Sequence, residues 1–362
     1  MRIDLEARSA PSPWLEVLLP FAALLAAIVI GGAVIASIGK SPVEALFVYF
    51  LEPLGDPWAL TELAVKAAPL TLIAIGLSFC YRANLWNIGA EGQFVMGGLT
   101  GGIIAVVTQG GAGQETLGSW WILPAMLIVG TLAGLLYAMI PAYLKVKLGA
   151  SEILTSLMLV YVAEMILDYL VRGPLRDPNG FNFPQSVPFD DVARMPFLME
   201  GERLHAGILI ALAAVAIASF IMRRTLFGFD VALVGSAPKA ARFAGFSDAK
   251  LTLAVFAISG GAAGLAGVCE VAGQIGQLQP VISPGYGFAA IIVAFLGRLQ
   301  PWGILCAGLV LALTTIGGES AQISMKVPLD MTRAFQGILL MCVLAADVFT
   351  RYRMRISFAR RA

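Results

Sequence analysis

Long apolar runs recur along this chain of 362 residues and limit what it can fold into. A helix needs about 20 apolar residues to cross about 30 Å of hydrocarbon, and the eighth run is short enough to suggest a broken or tilted helix. Since 59% of the residues are hydrophobic and 13% are charged, we predict an all-α, polytopic membrane protein with one transmembrane domain, 1–362. The ten predicted crossings are 15–38, 62–81, 88–107, 120–142, 152–171, 205–222, 251–272, 286–297, 301–318 and 331–349.

Basic residues predict the orientation, because cytoplasmic segments carry an excess of Lys and Arg. Ten crossings place both termini on one side, and the segments of that side hold 16 of the 24 basic residues. We therefore predict a cytoplasmic N-terminal tail (1–14), a cytoplasmic loop (223–250) and a cytoplasmic C-terminal tail (350–362). The polar 172–204 loop would then be external, as an ordered cap or a landing surface for a soluble partner.

The first apolar run, 15–38, is longer than the apolar core of a secretory signal peptide, so we expect it to be a retained membrane anchor.

A polar, glycine-rich break at residues 84–102 interrupts the apolar sequence. Lipid offers no water to unpaired peptide groups, so such a break must face a partner segment or a water-filled path. Asn87 and Glu91 share a face if the stretch is helical, and Gln93 adds a second amide. Two interpretations of Glu91 stay open and can coexist: a hydrogen-bonded clamp that holds the broken helix, and a lining of a path for a polar solute.

A second glycine-rich interruption, 283–287, precedes the eighth run much as the 84–93 part of the first break precedes the third. Paired interruptions of this kind are typical of transporters built from repeats. Glycines four residues apart also predict close helix packing, at Gly97/Gly101, Gly98/Gly102 and Gly260/Gly264.

Several other acidic residues lie in or near apolar runs. Asp168, Glu270 and Asp347 are close enough to predicted helix ends to reach water. Glu152 suits a first helical turn, where a carboxylate complements the helix dipole.

A short helix is predicted inside the cytoplasmic loop. Ser236 is a suitable N-cap, Pro238 fits the first turn and Gly245 is a natural stop, which together give about eight residues. Isolated helices shorter than about 12 residues are marginal in water. This helix must therefore pack either on its own membrane domain or on another subunit.

Catalysis and nucleotide binding have little support in the sequence. His205 is the only histidine, and the four cysteines lie in apolar runs without metal-ligand spacing, which argues against a metal site and a membrane enzyme. Gly39-Lys40-Ser41 lacks the leading glycine and the preceding strand of a phosphate loop. The net charge of +1 argues against a nucleic-acid partner. An ion-coupled secondary transporter stays open, with Glu91 as its buried carboxylate.

The motif Asn87-Ile-Gly-Ala-Glu-Gly-Gln93 resembles the signature of importer permeases in the branched-chain amino acid and ribose permease superfamily, and the general nucleoside permease branch above all. These permeases serve ATP-binding cassette (ABC) importers. The chain departs from the family pattern at Val160 and at Ala289-Ala290. Further matching segments, between roughly residues 60 and 345, are Pro69-Leu70, Ser151–Leu159 with Tyr161, Pro184-Gln-Ser186, Ala240–Gly245, Gly285-Tyr-Gly-Phe288 and Leu296-Gly-Arg298.

The resemblance implies a permease subunit of an ATP-driven importer, which moves nucleosides or a similar small polar solute inward by alternating access. It implies no enzyme and no cofactor on this chain, because cytoplasmic ATP-binding subunits would hydrolyse ATP. The other implied partners are a second related permease and a periplasmic or lipid-anchored binding protein, at a bacterial inner membrane. The candidate pathway residues are Asn87, Glu91, Gln93, Tyr286 and Phe288. The candidate ATPase-coupling residues are Ser236, Lys239, Ala241, Arg242, Phe243 and Gly245.

Overall fold

The computed structural model describes residues 2–7, 13–108, 120–199 and 201–357, and helices dominate it. The helices are α1 (Pro13–Ser37), α2 (Pro42–Leu46), α3 (Pro57–Arg82), α4 (Ala90–Thr108), α5 (Ile122–Leu148), α6 (Glu152–Arg172), α7 (Gly207–Arg224), α8 (Leu226–Ser236), α9 (Pro238–Phe243), α10 (Asp248–Glu270), α11 (Tyr286–Leu296), α12 (Pro301–Ser324) and α13 (Leu329–Arg351). Two short strands, which the sequence did not predict, are β1 (Arg2–Ala7) and β2 (Tyr352–Ser357). The predicted tails 1–14 and 350–362 lie partly outside the described residues.

Seven helices in the described part of the chain are long and apolar enough to cross a membrane. They are α3, α4, α5, α6, α7, α10 with its extension to Ile275, and α12. The prediction of an all-α, polytopic protein is confirmed, whereas the count of ten crossings stays a prediction. The helix of the eighth predicted crossing, α11, has only 11 residues. At 1.5 Å per residue it spans about 16 Å, roughly half of the hydrocarbon thickness.

The chain divides into two compact units, and the smaller one comprises Met1–Asp56 and Leu313–Ala362. Within it α1 packs against α13, and the Tyr49 hydroxyl lies 3.0 Å from the Thr332 Oγ1 atom. The strands β1 and β2 pair in antiparallel fashion, so the two ends of the described chain lie side by side. Which side of the membrane they occupy stays a prediction.

Helix α10 lies at the centre of the larger unit, Pro57–Ala312, against α3, α4 and α5. Glycines allow this close approach. A Cβ atom added to Gly97 of α4 would lie 2.3 Å from the Gly264 Cα atom of α10, and one added to Gly134 of α5 would lie 2.6 Å from the same atom. Small residues let helix backbones touch in this way, as predicted for Gly97 and Gly264.

The helices of the larger unit differ in burial. Helices α3, α4 and α10 are mostly buried, whereas most residues of α5, α6 and α7 are partly or fully exposed. Leu136, Met165 and Phe220 are among the exposed side chains. Because these surfaces are apolar and belong to membrane-crossing helices, they suit contact with lipid or with another membrane subunit.

Candidate functional site

The break between α3 and α4 begins at an aromatic cluster. Helix α3 ends at Arg82, and Asn84 has a left-handed φ of 57°, which turns the chain away from the helix. The Tyr81 ring lies 5.3 Å from the Trp86 ring and 5.0 Å from the Phe295 ring of α11. The Tyr81 hydroxyl also donates a hydrogen bond of 3.1 Å to the Asn87 carbonyl oxygen. One end of the break is therefore fixed to both α3 and α11.

A pair of side-chain amides holds the middle of the break. Asn87 Nδ2 donates to Gln93 Oε1 at 2.9 Å, and Gln93 Nε2 donates to Asn87 Oδ1 at 3.0 Å. Asn87 Nδ2 also donates to Ser259 Oγ of α10 at 3.0 Å, and Asn87 Oδ1 accepts the Gly89 N–H at 3.1 Å. These polar groups are buried and mutually satisfied, which favours a single conformation of the break.

Helix α6 supplies a further polar anchor for the break. The Ile88 N–H donates to Ser156 Oγ at 3.2 Å. A Cβ atom added to Gly92 would lie 2.9 Å from the Val160 Cα atom, so α4 and α6 touch through their backbones. Ser156 and Ser259 could not be predicted as members of this site, because a serine beside small residues in an apolar run is typical of helix packing.

The two glycine-rich breaks meet at Glu91. Its Oε2 atom accepts a hydrogen bond of 2.5 Å from the Gly287 N–H, in the first turn of α11. A Cβ atom added to Gly287 would lie 2.3 Å from the Glu91 backbone nitrogen. The negative carboxylate thus lies at the N-terminal ends of α4 and α11, where it complements the positive ends of both helix dipoles. Glu91 is 3% exposed. These contacts are those of a clamp; the lining of a solute path stays a proposal.

An irregular segment, 276–285, lies along α4 and leads into α11. A Cβ atom added to Gly102 would lie 2.5 Å from Leu278 Cδ2, and one added to Gly98 would lie 2.8 Å from Ile282 Cδ1. The prediction of close helix packing is therefore confirmed for Gly98, whose added Cβ atom would also lie 3.1 Å from the Gly267 carbonyl oxygen of α10, whereas the nearest neighbours of Gly102 are side-chain atoms of Leu278.

The last two candidate pathway residues lie in the first turn of α11 but differ in burial. Tyr286 is buried, and its hydroxyl is 3.5 Å from Glu270 Oε1. Phe288 is 40% exposed.

The prediction that Glu270 reaches water is wrong, because its side chain is buried. The 172–204 loop lies over the end of α10, where the Met195 N–H donates to the Ala272 carbonyl at 2.9 Å.

Two other predicted acidic residues form ion pairs. Asp168 pairs with Arg172 within α6, at 2.7 Å, and its side chain is partly exposed, as predicted. Glu152 opens α6 as predicted, and its carboxylate pairs with Lys145 in the last turn of α5. The Glu152 pair therefore ties the two helices together across the turn at Gly149. The side chain of Asp347 lies outside the described residues.

The short helix of the 223–250 loop forms, but with different ends. Helix α9 has six residues, and Gly245 follows it with a left-handed φ of 86°, as expected of a stop. Ser236 is not its N-cap. Helix α8 continues through Ser236, whose hydroxyl donates to the Ala232 carbonyl at 2.8 Å, and Ala237 takes the N-cap position without a side-chain bond.

Helix α9 is buried on one side and open on the other. Ala241 is fully buried, whereas Lys239 and Arg242 are exposed and Phe243 is 94% exposed. Arg242 Nε donates to Asp248 Oδ2 at 2.5 Å, which ties the helix to the start of α10. Ala241 fixes α9 to its own chain, and Phe243 offers an apolar contact with nothing over it in the described residues.

Known proteins are similar to this chain over most of its length. A profile of the family described as the permease component of branched-chain amino acid transport systems matches residues 59–344. The chain belongs to this permease family. The permease is 38% identical to the glucose ABC transporter permease protein of Haloferax volcanii, over 100% of this chain and 96% of that protein. No solved structure matches it.

Two permease proteins of one organism also match this permease. It is 28% identical to a guanosine ABC transporter permease protein of Bacillus subtilis, over 91% of this chain and 93% of that protein. It is also 28% identical to a second guanosine ABC transporter permease protein of the same organism, over 68% of this chain and 76% of that protein.

These matches confirm the resemblance drawn from the motifs. The permease is a membrane-embedded subunit of an ATP-driven importer and is not itself an enzyme, since ATP hydrolysis belongs to separate subunits. They give no support to an ion-coupled secondary transporter.

Proposed function

We propose that the permease moves a neutral, hydroxylated small solute inward by alternating access, with glucose as the first candidate. The observation that carries this proposal is the 38% identity to a glucose permease, which extends over 100% of this chain. A nucleoside is the second candidate, because a guanosine permease matches 91% of the chain.

The joined helix breaks support a transport role. Alternating access needs two arrangements of the membrane domain whose relative stability a partner can shift. Helices α4 and α11 both begin inside the larger unit and meet through Glu91 and Gly287. Broken helices that begin at a common polar point are typical of the solute paths of transporters. A path past Asn87, Glu91, Gln93 and Tyr286 would open when these first turns separate.

Partners would supply energy and solute. Cytoplasmic ATP-binding subunits would bind α9, whose Phe243 and Lys239 are exposed. A second related permease would complete the membrane domain, as the two guanosine permease proteins of Bacillus subtilis suggest. A binding protein would meet the 172–204 loop, where Phe181 is 91% exposed. The complex would lie in a bacterial inner membrane with both termini in the cytoplasm.

Reconstitution with these partners tests the proposal. The permease is co-expressed with the ATP-binding subunits and second permease, placed in proteoliposomes and supplied with the loaded binding protein. We expect ATP-dependent uptake of labelled glucose, with leucine as the control solute. Uptake of guanosine in place of glucose would favour the second candidate. Uptake driven by an ion gradient without ATP would contradict the proposal.

A further inference from the structure

A group of polar side chains near the 172–204 loop takes no part in the clamp or in α9. Its members come from the first turns of α3, from the end of that loop and from the end of α10. We name this group the loop-side cluster: Glu62, Lys66, Arg203, His205, Glu270 and Gln274.

The charges of the loop-side cluster balance within it. Arg203 Nε lies 3.7 Å from Glu62 Oε1, close enough for an ion pair but too far for a hydrogen bond. The Glu270 carboxylate is attracted by Lys66 and Arg203 and is repelled by Glu62. Two acidic and two basic groups cancel formally, and the two carboxylates are 3% and 5% exposed. A charged ligand would therefore gain little net attraction.

Three buried polar atoms of the cluster have no hydrogen-bond partner among the described residues: Glu62 Oε1, His205 Nε2 and Gln274 Oε1. His205 Nδ1 accepts the Gly207 N–H at 3.1 Å, so the ring proton of the neutral imidazole lies on Nε2. The cluster thus offers one donor and two acceptors. Leaving such a group unpaired is unfavourable, and native proteins normally fill such sites with a polar partner or with water.

Backbone geometry places two of the three unpaired groups, those of His205 and Gln274, on neighbouring residues of the fold. The His205 ring atoms lie 2.6 Å from where a Cβ atom of Gly273 would sit, and Gln274 is the next residue. Here α10 widens into a π-helical turn, Val271–Ile275. Turns of this kind are frequent at functional sites because they redirect side chains.

We propose that the loop-side cluster binds hydroxyl groups, either of water or of the transported solute. Hydroxyl groups both donate and accept, so one accepts from His205 Nε2–H while two O–H groups, of one water or of neighbouring solute hydroxyls, donate to the two oxygens with no added charge. Only the solute alternative rests on the function proposed above. The hydrated cluster would then be a polar site between the 172–204 loop and Tyr286, whose hydroxyl is near Glu270.

Radiolytic hydroxyl labelling of the purified permease tests this proposal, since radicals formed from bound water oxidise adjacent side chains. Cys269 is the native reporter. A Cβ atom of Gly207 would lie 3.4 Å from Cys269 Cβ and 2.6 Å from the His205 ring. Cys80, also buried, is the control, because its thiol donates to the Val255 carbonyl at 3.3 Å. We expect Cys269 to be oxidised several-fold faster than Cys80. Equal rates would overturn the proposal.

Adding solute separates the two sources of hydroxyl groups. Slower oxidation of Cys269 relative to Cys80 in the presence of glucose or guanosine would assign the site to solute, and an unchanged ratio of the two rates would assign it to water. Neither arm needs ATP or partner subunits, so a failure here leaves the transport experiment standing, and a failure of transport leaves this one standing.

The variant Gln274→Met gives a second readout, because it removes an acceptor while keeping the side-chain length. If the site is dry, the variant loses an unpaired group and its melting temperature in detergent stays level or rises, which would overturn the proposal. If the site is hydrated, the variant displaces the bound hydroxyl, leaves His205 Nε2 unpaired and melts at a lower temperature. The control is Gln322→Met on the exposed face of α12.

Discussion

The Glu91 carboxylate accepts a hydrogen bond of 2.5 Å from the backbone N–H of Gly287, 196 residues further along the chain. The contact joins the first turn of α4 to the first turn of α11. A single buried side chain therefore stabilises both glycine-rich breaks, and its replacement acts on both.

Substitutions of Glu91 distinguish a structural clamp from a direct role in the solute path. Glu91→Gln keeps an acceptor for the Gly287 N–H, whereas Glu91→Ala leaves that N–H buried and unpaired, at about 1–3 kcal/mol. We expect a lower melting temperature for the alanine variant and a smaller change for the glutamine variant. Uptake per folded molecule is then measured for both. If Glu91→Gln is stable but loses uptake, the carboxylate acts beyond the clamp; full stability of Glu91→Ala would contradict the clamp.

Gly287→Ala tests the contact from its other side. The new methyl group would lie 2.3 Å from the Glu91 backbone nitrogen, and backbone cannot give way as a flexible side chain does. Overpacking of this kind costs about 1–3 kcal/mol or more, so we expect a marked fall in melting temperature. The matched control is Gly337→Ala in α13, where nothing lies within 4 Å of the added Cβ atom. Equal melting temperatures for the two variants would refute the close approach.

Phe243→Ala tests the coupling role of α9. The side chain is 94% exposed, so its removal should leave insertion and melting temperature unchanged. We expect weaker co-purification of the ATP-binding subunits and a several-fold loss of ATP-dependent uptake. Phe220→Ala is the control, because Phe220 is 63% exposed on the membrane-crossing helix α7. Normal uptake by the Phe243 variant would exclude this side chain from coupling.

The pH dependence of stability should report His205, which precedes α7. Burial lowers the pKa of His205 from 6.5 to about 4. The unfolded chain therefore binds a proton more readily than the folded one as the pH falls from about 6.5 to about 4, and stability decreases over that range. Between pH 7.5 and pH 5 we expect a loss of about 2 kcal/mol. Melting temperatures of the permease and of His205→Asn, whose amide oxygen can replace Nδ1, are compared at both pH values. An equal decrease in the two proteins would assign the effect to other groups.

Much of the fold could be predicted from the sequence, because the length of an apolar run is a local property. The seventh predicted crossing, 251–272, agrees with α10 to within a few residues. The location of the breaks was predictable for the same reason, since glycines and amides stand out against an apolar background. The strands β1 and β2 were not predictable in this way, because their pairing joins the two ends of the chain.

The partners of the breaks could not be predicted, because they are distant in sequence and chemically ordinary. Ser259 is 172 positions from Asn87, and a serine beside glycines is as typical of helix packing as of a network. Ser236 was predicted as a cap from its residue type alone. Its hydroxyl bonds back to the preceding turn of α8, so α8 continues through Ser236 and the N-cap of α9 is Ala237, one residue later than predicted. Glu270 shows that closeness to a helix end does not guarantee exposure to bulk solvent, since a loop can cover that end.

The brevity of α11 also affects how relatives of this permease should be aligned and mapped. A scan that searches for 18 or more apolar residues overlooks its 11-residue helix. This helix corresponds to the predicted eighth crossing, and a topology that omits it inverts the predicted sidedness of every later segment. Reporter fusions placed after residue 298 therefore test whether α11 counts as a crossing.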